Sequence, residues 1–119
     1  MKENVIKTKS FAFALKVVKL YQFLQTDKKE YVLSKQLLRS GTAIGALVHE
    51  AIQAESSADF IRKMAIGLTE ANETEYWLDL LFQAAFLDET ADNSVKIDIT
   101  EILKLLVSII KTSKQNLYK

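Results

Sequence analysis

The sequence predicts an all-α protein, an up-and-down antiparallel four-helix bundle, and three observations carry that prediction. The chain of 119 residues contains no proline and only three glycines, whereas strands and tight turns draw on both and helix interiors exclude proline. Apolar residues recur at spacings of three and four, the period of a helix with a buried side. Three runs, Asp27-Lys28-Lys29-Glu30, Ser56-Ser57-Ala58-Asp59 and Asp98-Ile99-Thr100-Glu101, have the form of a capping box, in which the first side chain accepts from backbone N–H groups and the acid three residues on reaches back.

The first helix is expected over residues 8–26. It carries two apolar stripes, Phe11, Ala14, Val18 and Tyr21 along one line and Phe13, Val17, Leu20 and Leu24 along the next. One bundle core needs one stripe, so the second is assigned to contacts between subunits. The second helix is expected over 28–55, opened by Asp27, with Gly41 and Gly45 on one face. Each mid-helix glycine costs about 1 kcal/mol relative to alanine, a cost that close approach of another helix offsets. Gly67 and Ala71 of the third helix, expected over 57–87, are the expected counterpart, also four residues apart. Asp88 to Ser94 reads as a polar linker, and the fourth helix is expected over 96–117. There Ile102, Leu103, Leu105, Leu106, Val107, Ile109 and Ile110 cover more than half of the circumference. An apolar arc that broad on an outer helix exceeds what a soluble monomer exposes. A homo-oligomer is therefore expected, with Phe13, Val17, Leu20, Leu24 and Val107 at its interface. The short connections make successive helices antiparallel neighbours.

Apolar residues at 49% and charged residues at 26% suit one globular domain over 1–119 and exclude a disordered chain. With no cysteine, thiol catalysis, Cys-ligated zinc and disulfides are all removed. The most apolar stretch, Leu105 to Ile110, is far short of the roughly 20 residues that span a bilayer. No membrane partner is expected, and the expected location is the cytoplasm. His49 is the one histidine and has Ala46 three residues before it, so the Glu-x-x-His pattern of dimetal bundles is missing. Neither a Gly-x-Ser-x-Gly elbow nor a phosphate-binding glycine loop occurs. The expectation is a non-enzyme with no cofactor, metal or small-molecule substrate.

The net charge of +1 hides an asymmetry along the chain. Residues 1–39 carry nine basic and three acidic groups, residues 40–103 three and twelve, and residues 104–119 four and none. Lys2, Lys9, Lys16 and Lys19 fall within about 100° on the first helix at 3.6 residues per turn, and Lys104, Lys111 and Lys114 follow on the fourth. A basic strip of Lys9, Lys16, Lys19, Lys104 and Lys111, repeated in each subunit of an oligomer, fits a polyanion, RNA or DNA. The alternative is a scaffold that docks a protein on its acidic middle helices. Arg39, one of two arginines, is the expected partner of Glu73 in an ion pair that fixes the register of the second and third helices.

Ser34-Lys35-Gln36-Leu37-Leu38-Arg39-Ser40-Gly41-Thr42-Ala43-Ile44-Gly45-Ala46, then His49-Glu50-Ala51, then Ala71-Asn72-Glu73-Thr74-Glu75-Tyr76-Trp77-Leu78 together resemble the four-helix-bundle family of 23S rRNA intervening-sequence proteins. Ser10-Phe11 and Asp59-Phe60 extend the likeness over nearly the whole chain. Leu47 stands where members commonly carry asparagine. The family in turn resembles the accessory variability proteins of diversity-generating retroelements, pentameric barrels with a basic surface that bind nucleic acid. The resemblance implies a pentamer here.

Overall fold

A computed structural model describes the backbone of residues 2–117 and the side chains from Asn4 to Leu117. Four helices run α1 (Lys2–Thr26), α2 (Leu33–Ile52), α3 (Ser57–Gln83) and α4 (Glu89–Leu117), with no strand among the described residues. Each packs on the next, and α4 returns to α1 along the thinnest of the four seams. The molecule is a rod 51 Å long and 21 by 19 Å across.

The helix ends differ from expectation where side-chain chemistry competes. Ser56 caps α3, its hydroxyl accepting from the Asp59 N–H at 3.1 Å. At α2 the capping group is Glu30 rather than Asp27. Its carboxylate accepts from the N–H groups of Val32, Leu33 and Ser34 at 3.2, 3.0 and 2.7 Å, so the helix begins at Leu33 instead of 28. Burial alone would raise the Glu30 pKa, but these backbone donors outweigh it and hold the carboxyl below its ordinary range. Asp98-Ile99-Thr100-Glu101 opens nothing. Asp88 is the cap, accepting from the Ala91 N–H at 2.8 Å, and the expected linker is the first turns of α4. Two acids there, Glu89 and Asp92, favour the helix N-terminus through its dipole. Asp92 is buried, with one carboxylate oxygen unpartnered and the other 3.5 Å from Lys96. The α3 helix stops at Gln83, short of 87, because Ala85 adopts a left-handed φ of 68°. The Phe86 N–H then reaches the Leu81 carbonyl at 2.9 Å and the Ala85 N–H that of Phe82 at 3.0 Å. That is a Schellman ending with alanine where glycine is usual.

Phe13, Val17 and Leu24 of α1 enter the core with Leu37 and Ile44 of α2, Met64, Ala71 and Leu78 of α3, and Val95, Ile99, Ile102 and Leu106 of α4. The spacing of three and four is that of a coiled-coil seam, and each such side chain larger than alanine contributes about 1.5–3 kcal/mol by leaving water. Phe13, Val17 and Leu24 are therefore core residues and not the subunit contacts expected of them, and Leu20 is half-buried against that same core. The other stripe is the outward one: Phe11 is 66% exposed, with Leu15 beside it at 52%.

Gly41 and Gly45 also meet a partner other than the one expected. A Cβ at Gly41 would lie 2.9 Å from both Val17 methyls, and one at Gly45 would lie 3.2 Å from the Ser10 carbonyl oxygen. Both glycines admit α1. Gly67 serves the seam between α2 and α3, where the nearest neighbour of an added Cβ is the Leu47 Cβ at 3.7 Å, while Ala71 fills the core. Leu47 thus packs as an aliphatic group over Gly67. In the same seam the buried hydroxyls of Ser40 and Thr74 hydrogen-bond at 3.0 Å.

Candidate nucleic-acid interface

The lysines singled out by sequence do not form one strip. Lys9 and Lys16 lie on the seam between α1 and α4, where Lys9 pairs with Glu101 and Lys16 with Asp98 at 2.6 Å. A second hydrogen bond ties Lys16 to the Ser94 hydroxyl at 2.8 Å. The acids read as a helix start are therefore the partners of two lysines read as free. Lys19 lies exposed on the outer side of α1. Lys104 and Lys111 sit on the opposite flank of α4, rimming a hollow of about 550 Å³ that Leu68, Leu103 and Val107 line. Val107 is 52% exposed and is the one expected interface residue with an open surface. The Lys2 side chain lies outside the described residues.

Elsewhere the carboxylates are also consumed. Glu50 pairs with Lys63 at 2.9 Å, Asp59 with Arg62 at 2.9 Å, and Asp79 with Lys96 at 2.8 Å. Asp79 first, then Asp92, raise the Lys96 pKa. Arg39 bridges two acids of α3, reaching Glu70 at 3.0 Å and also Glu73. Glu70 joins the expected Glu73 because its position three residues earlier on the helix puts both within reach of one guanidinium. Glu73 further accepts from the Trp77 indole N–H at 3.2 Å. The indole and then the guanidinium hold the Glu73 carboxyl below its ordinary pKa, and the two acids raise that of Arg39. This cluster clamps α2 to α3, one guanidinium being shared by two carboxylates.

The pairing leaves more bases than acids. Among the described residues Lys7, Lys19, Lys28, Lys29, Lys35, Lys104, Lys111 and Lys114 have no carboxylate partner, whereas Asp27, Glu30, Glu55, Glu75, Asp88 and Glu89 have no basic one, and of these Glu30 and Asp88 are taken up by helix caps. Lys7 borders a groove between α1 and α2. There Phe11, Gly45 and His49 are common to two hollows of about 450 Å³ each. The first extends to Asn4 and Thr8, the second to Ala14, Thr42, Ala46 and Glu50. No group of three or more acids or histidines able to hold a metal occurs among the described residues. No helix there is long and apolar enough to cross a membrane.

A family model described as 23S rRNA-intervening sequence protein matches residues 2–108. The chain belongs to that family. A crystal structure from Bacteroides thetaiotaomicron, described as a protein of unknown function from the S23 ribosomal protein family, is 57% identical to this intervening-sequence protein. It superposes with a TM-score of 0.92, covering 93% of this chain and 99% of its own. No curated protein matches this family member.

Proposed function

We propose that the protein is a non-enzymatic homo-oligomer, a pentamer, that associates with RNA or DNA through the lysines its own carboxylates leave free. One observation carries this reading. Most acids along the sides of the rod are engaged by internal ion pairs, while Lys7 and Lys19 on α1 and Lys104 and Lys111 on the far side of α4 are not, so a chain of net charge +1 presents unpaired basic groups on two flanks. The same pairing reduces an acidic docking surface on the middle helices, where Arg39, Arg62 and Lys63 engage Glu70, Glu73, Asp59 and Glu50 and leave Glu75 open. Self-association is supported by the hollow of Leu68, Leu103 and Val107 and by Ile97, 67% exposed farther along α4. An oligomer repeats each weak basic patch, so that a polyanion spanning several copies gains avidity.

Fluorescence anisotropy with labelled RNA and DNA at about 50 and 200 mM salt tests the reading, since each neutralised phosphate releases counterion. The combined Lys19→Ala, Lys104→Ala, Lys111→Ala variant should flatten the salt dependence by roughly one unit of log K per log salt for each lost duplex contact. Lys9→Ala and Lys16→Ala should leave that slope nearly unchanged. Absence of wild-type binding at the lower salt refutes nucleic-acid association.

A further inference from the structure

Phe11 is the most exposed aromatic side chain among the described residues, and it is not isolated on a convex surface. It belongs to both hollows of the groove between α1 and α2. The open space has a structural origin: Gly45 lies directly under the α1 backbone at Ser10, and Ala14 and Ala46 are too small to fill the groove beside it. Lys7, without a carboxylate partner, borders the first hollow together with the exposed His49. The one acid at the groove, Glu50, is engaged by Lys63.

An aromatic ring with unfilled volume beside it and a cation within the same hollow provides what an unpaired base and its phosphate require: a stacking face and a counter-charge. We propose that this groove is a stacking site for unpaired bases of single-stranded nucleic acid, with Phe11 as the platform and Lys7 contacting the backbone. The proposal rests on the nucleic-acid reading above and narrows its ligand. A duplex keeps its base faces stacked on one another, so the groove discriminates against it. A second copy of the chain is the weaker occupant. The apolar hollow on the far flank is rimmed by Lys104 and Lys111, and docking it against the Lys7 and Lys19 side of α1 would juxtapose like charges.

The test uses the full chain with a fluorescein-labelled pyrimidine RNA of roughly 12 nucleotides, a length within the range covered by single-strand sites, alone and annealed to its complement. Wild-type protein should bind the single strand more tightly than the duplex. Phe11→Ala should weaken single-strand binding by about 5- to 150-fold for one lost stack and leave duplex binding and the mass by light scattering unchanged. Phe11→Trp should retain affinity, and its added indole emission should be quenched by the RNA. The proposal is overturned if Phe11→Ala binds the single strand as wild type does, or if it dissociates the assembly, which would make the groove a subunit contact. Loss of binding in the lysine variant with none in Phe11→Ala overturns the groove and keeps the nucleic-acid reading. A wild type that binds neither probe overturns both.

Discussion

Replacing the three glycines by alanine, one at a time, should give three different outcomes from one chemical change. Each replacement gains about 0.5–1 kcal/mol because alanine gives up less backbone freedom on entering a helix. What opposes that gain is set by the nearest atom. At Gly67 an added methyl meets only the Leu47 Cβ at an ordinary 3.7 Å, so Gly67→Ala should stabilise by most of the propensity term, raising Tm by about 3–4 °C for a domain of this size. At Gly45 the neighbour is the Ser10 carbonyl oxygen at 3.2 Å. Part of α1 must yield by a few tenths of an ångström, and the change should fall near zero. At Gly41 the methyl would come within 2.9 Å of both Val17 methyls. Val17 is fully buried and β-branched, stiff at χ1, so it cannot rotate away, and the overpacking cost of about 1–3 kcal/mol should exceed the gain. Urea unfolding followed by circular dichroism would rank the variants as Gly67→Ala, wild type with Gly45→Ala, then Gly41→Ala. A stabilised Gly41→Ala would refute the packing of α2 on α1, and a destabilised Gly67→Ala would refute the open seam at Leu47. Gly45→Leu, with far more bulk against backbone, should lose more than any of them.

Glu30→Gln should destabilise by about 1–2 kcal/mol, the value of a cap, and should change the acid limb of stability. The native Glu30 pKa is depressed, so its contribution is complete above the ordinary carboxyl pKa and lost as pH falls through the native value; thermal melts between about pH 3 and 7 should show a shallower acid loss in the variant. Arg39→Ala should cost about 1 kcal/mol, in keeping with a pair half open to solvent, without flattening the salt dependence of nucleic-acid binding. Val107→Glu should lower the mass by light scattering at unchanged helix content, because it sets a charge in the apolar hollow; an unchanged mass would place the subunit contact elsewhere.

Helix number, order and antiparallel packing were legible because periodicity and the absence of proline act over the whole chain. Boundaries were not, because competing oxygen acceptors settle them locally. Glu30 rather than Asp27 caps α2, and Asp88 rather than Asp98 caps α4; each rejected run has the right spacing, and only the position of the core decides. The two stripes of α1 were both visible, yet their assignment reversed. Phe13 and Phe11 are chemically alike, and which faces inward depends on the Val17 and Gly41 contact, a tertiary fact. The lysine strip failed for a related reason. Charge counted along the sequence says nothing of pairing across a seam, and the pairs Lys9 with Glu101 and Lys16 with Asp98 join residues more than eighty positions apart. Arg39 with Glu73 was more accessible, since arginine is scarce and the two adjacent helices are joined by a short turn.

The seam those pairs close also bears on how the molecule comes apart. The contact of α1 with α4 is the least extensive in the bundle, and its polar content consists of half-exposed ion pairs whose strength declines with ionic strength. The interlocking of α2 with its two neighbours adds glycine-level fit and more extensive buried contact to the ion pairs it shares with α3. Opening should therefore proceed by α1 and α4 parting along their shared edge while the α2 and α3 hairpin holds. Amide hydrogens of α2 and α3 would then exchange last, and those on the α1 and α4 edge would exchange earlier and faster as salt rises. The first and last segments of the chain would thus form a gate whose ease of opening is governed by the ionic medium, and the interior of the bundle would become accessible from that side first.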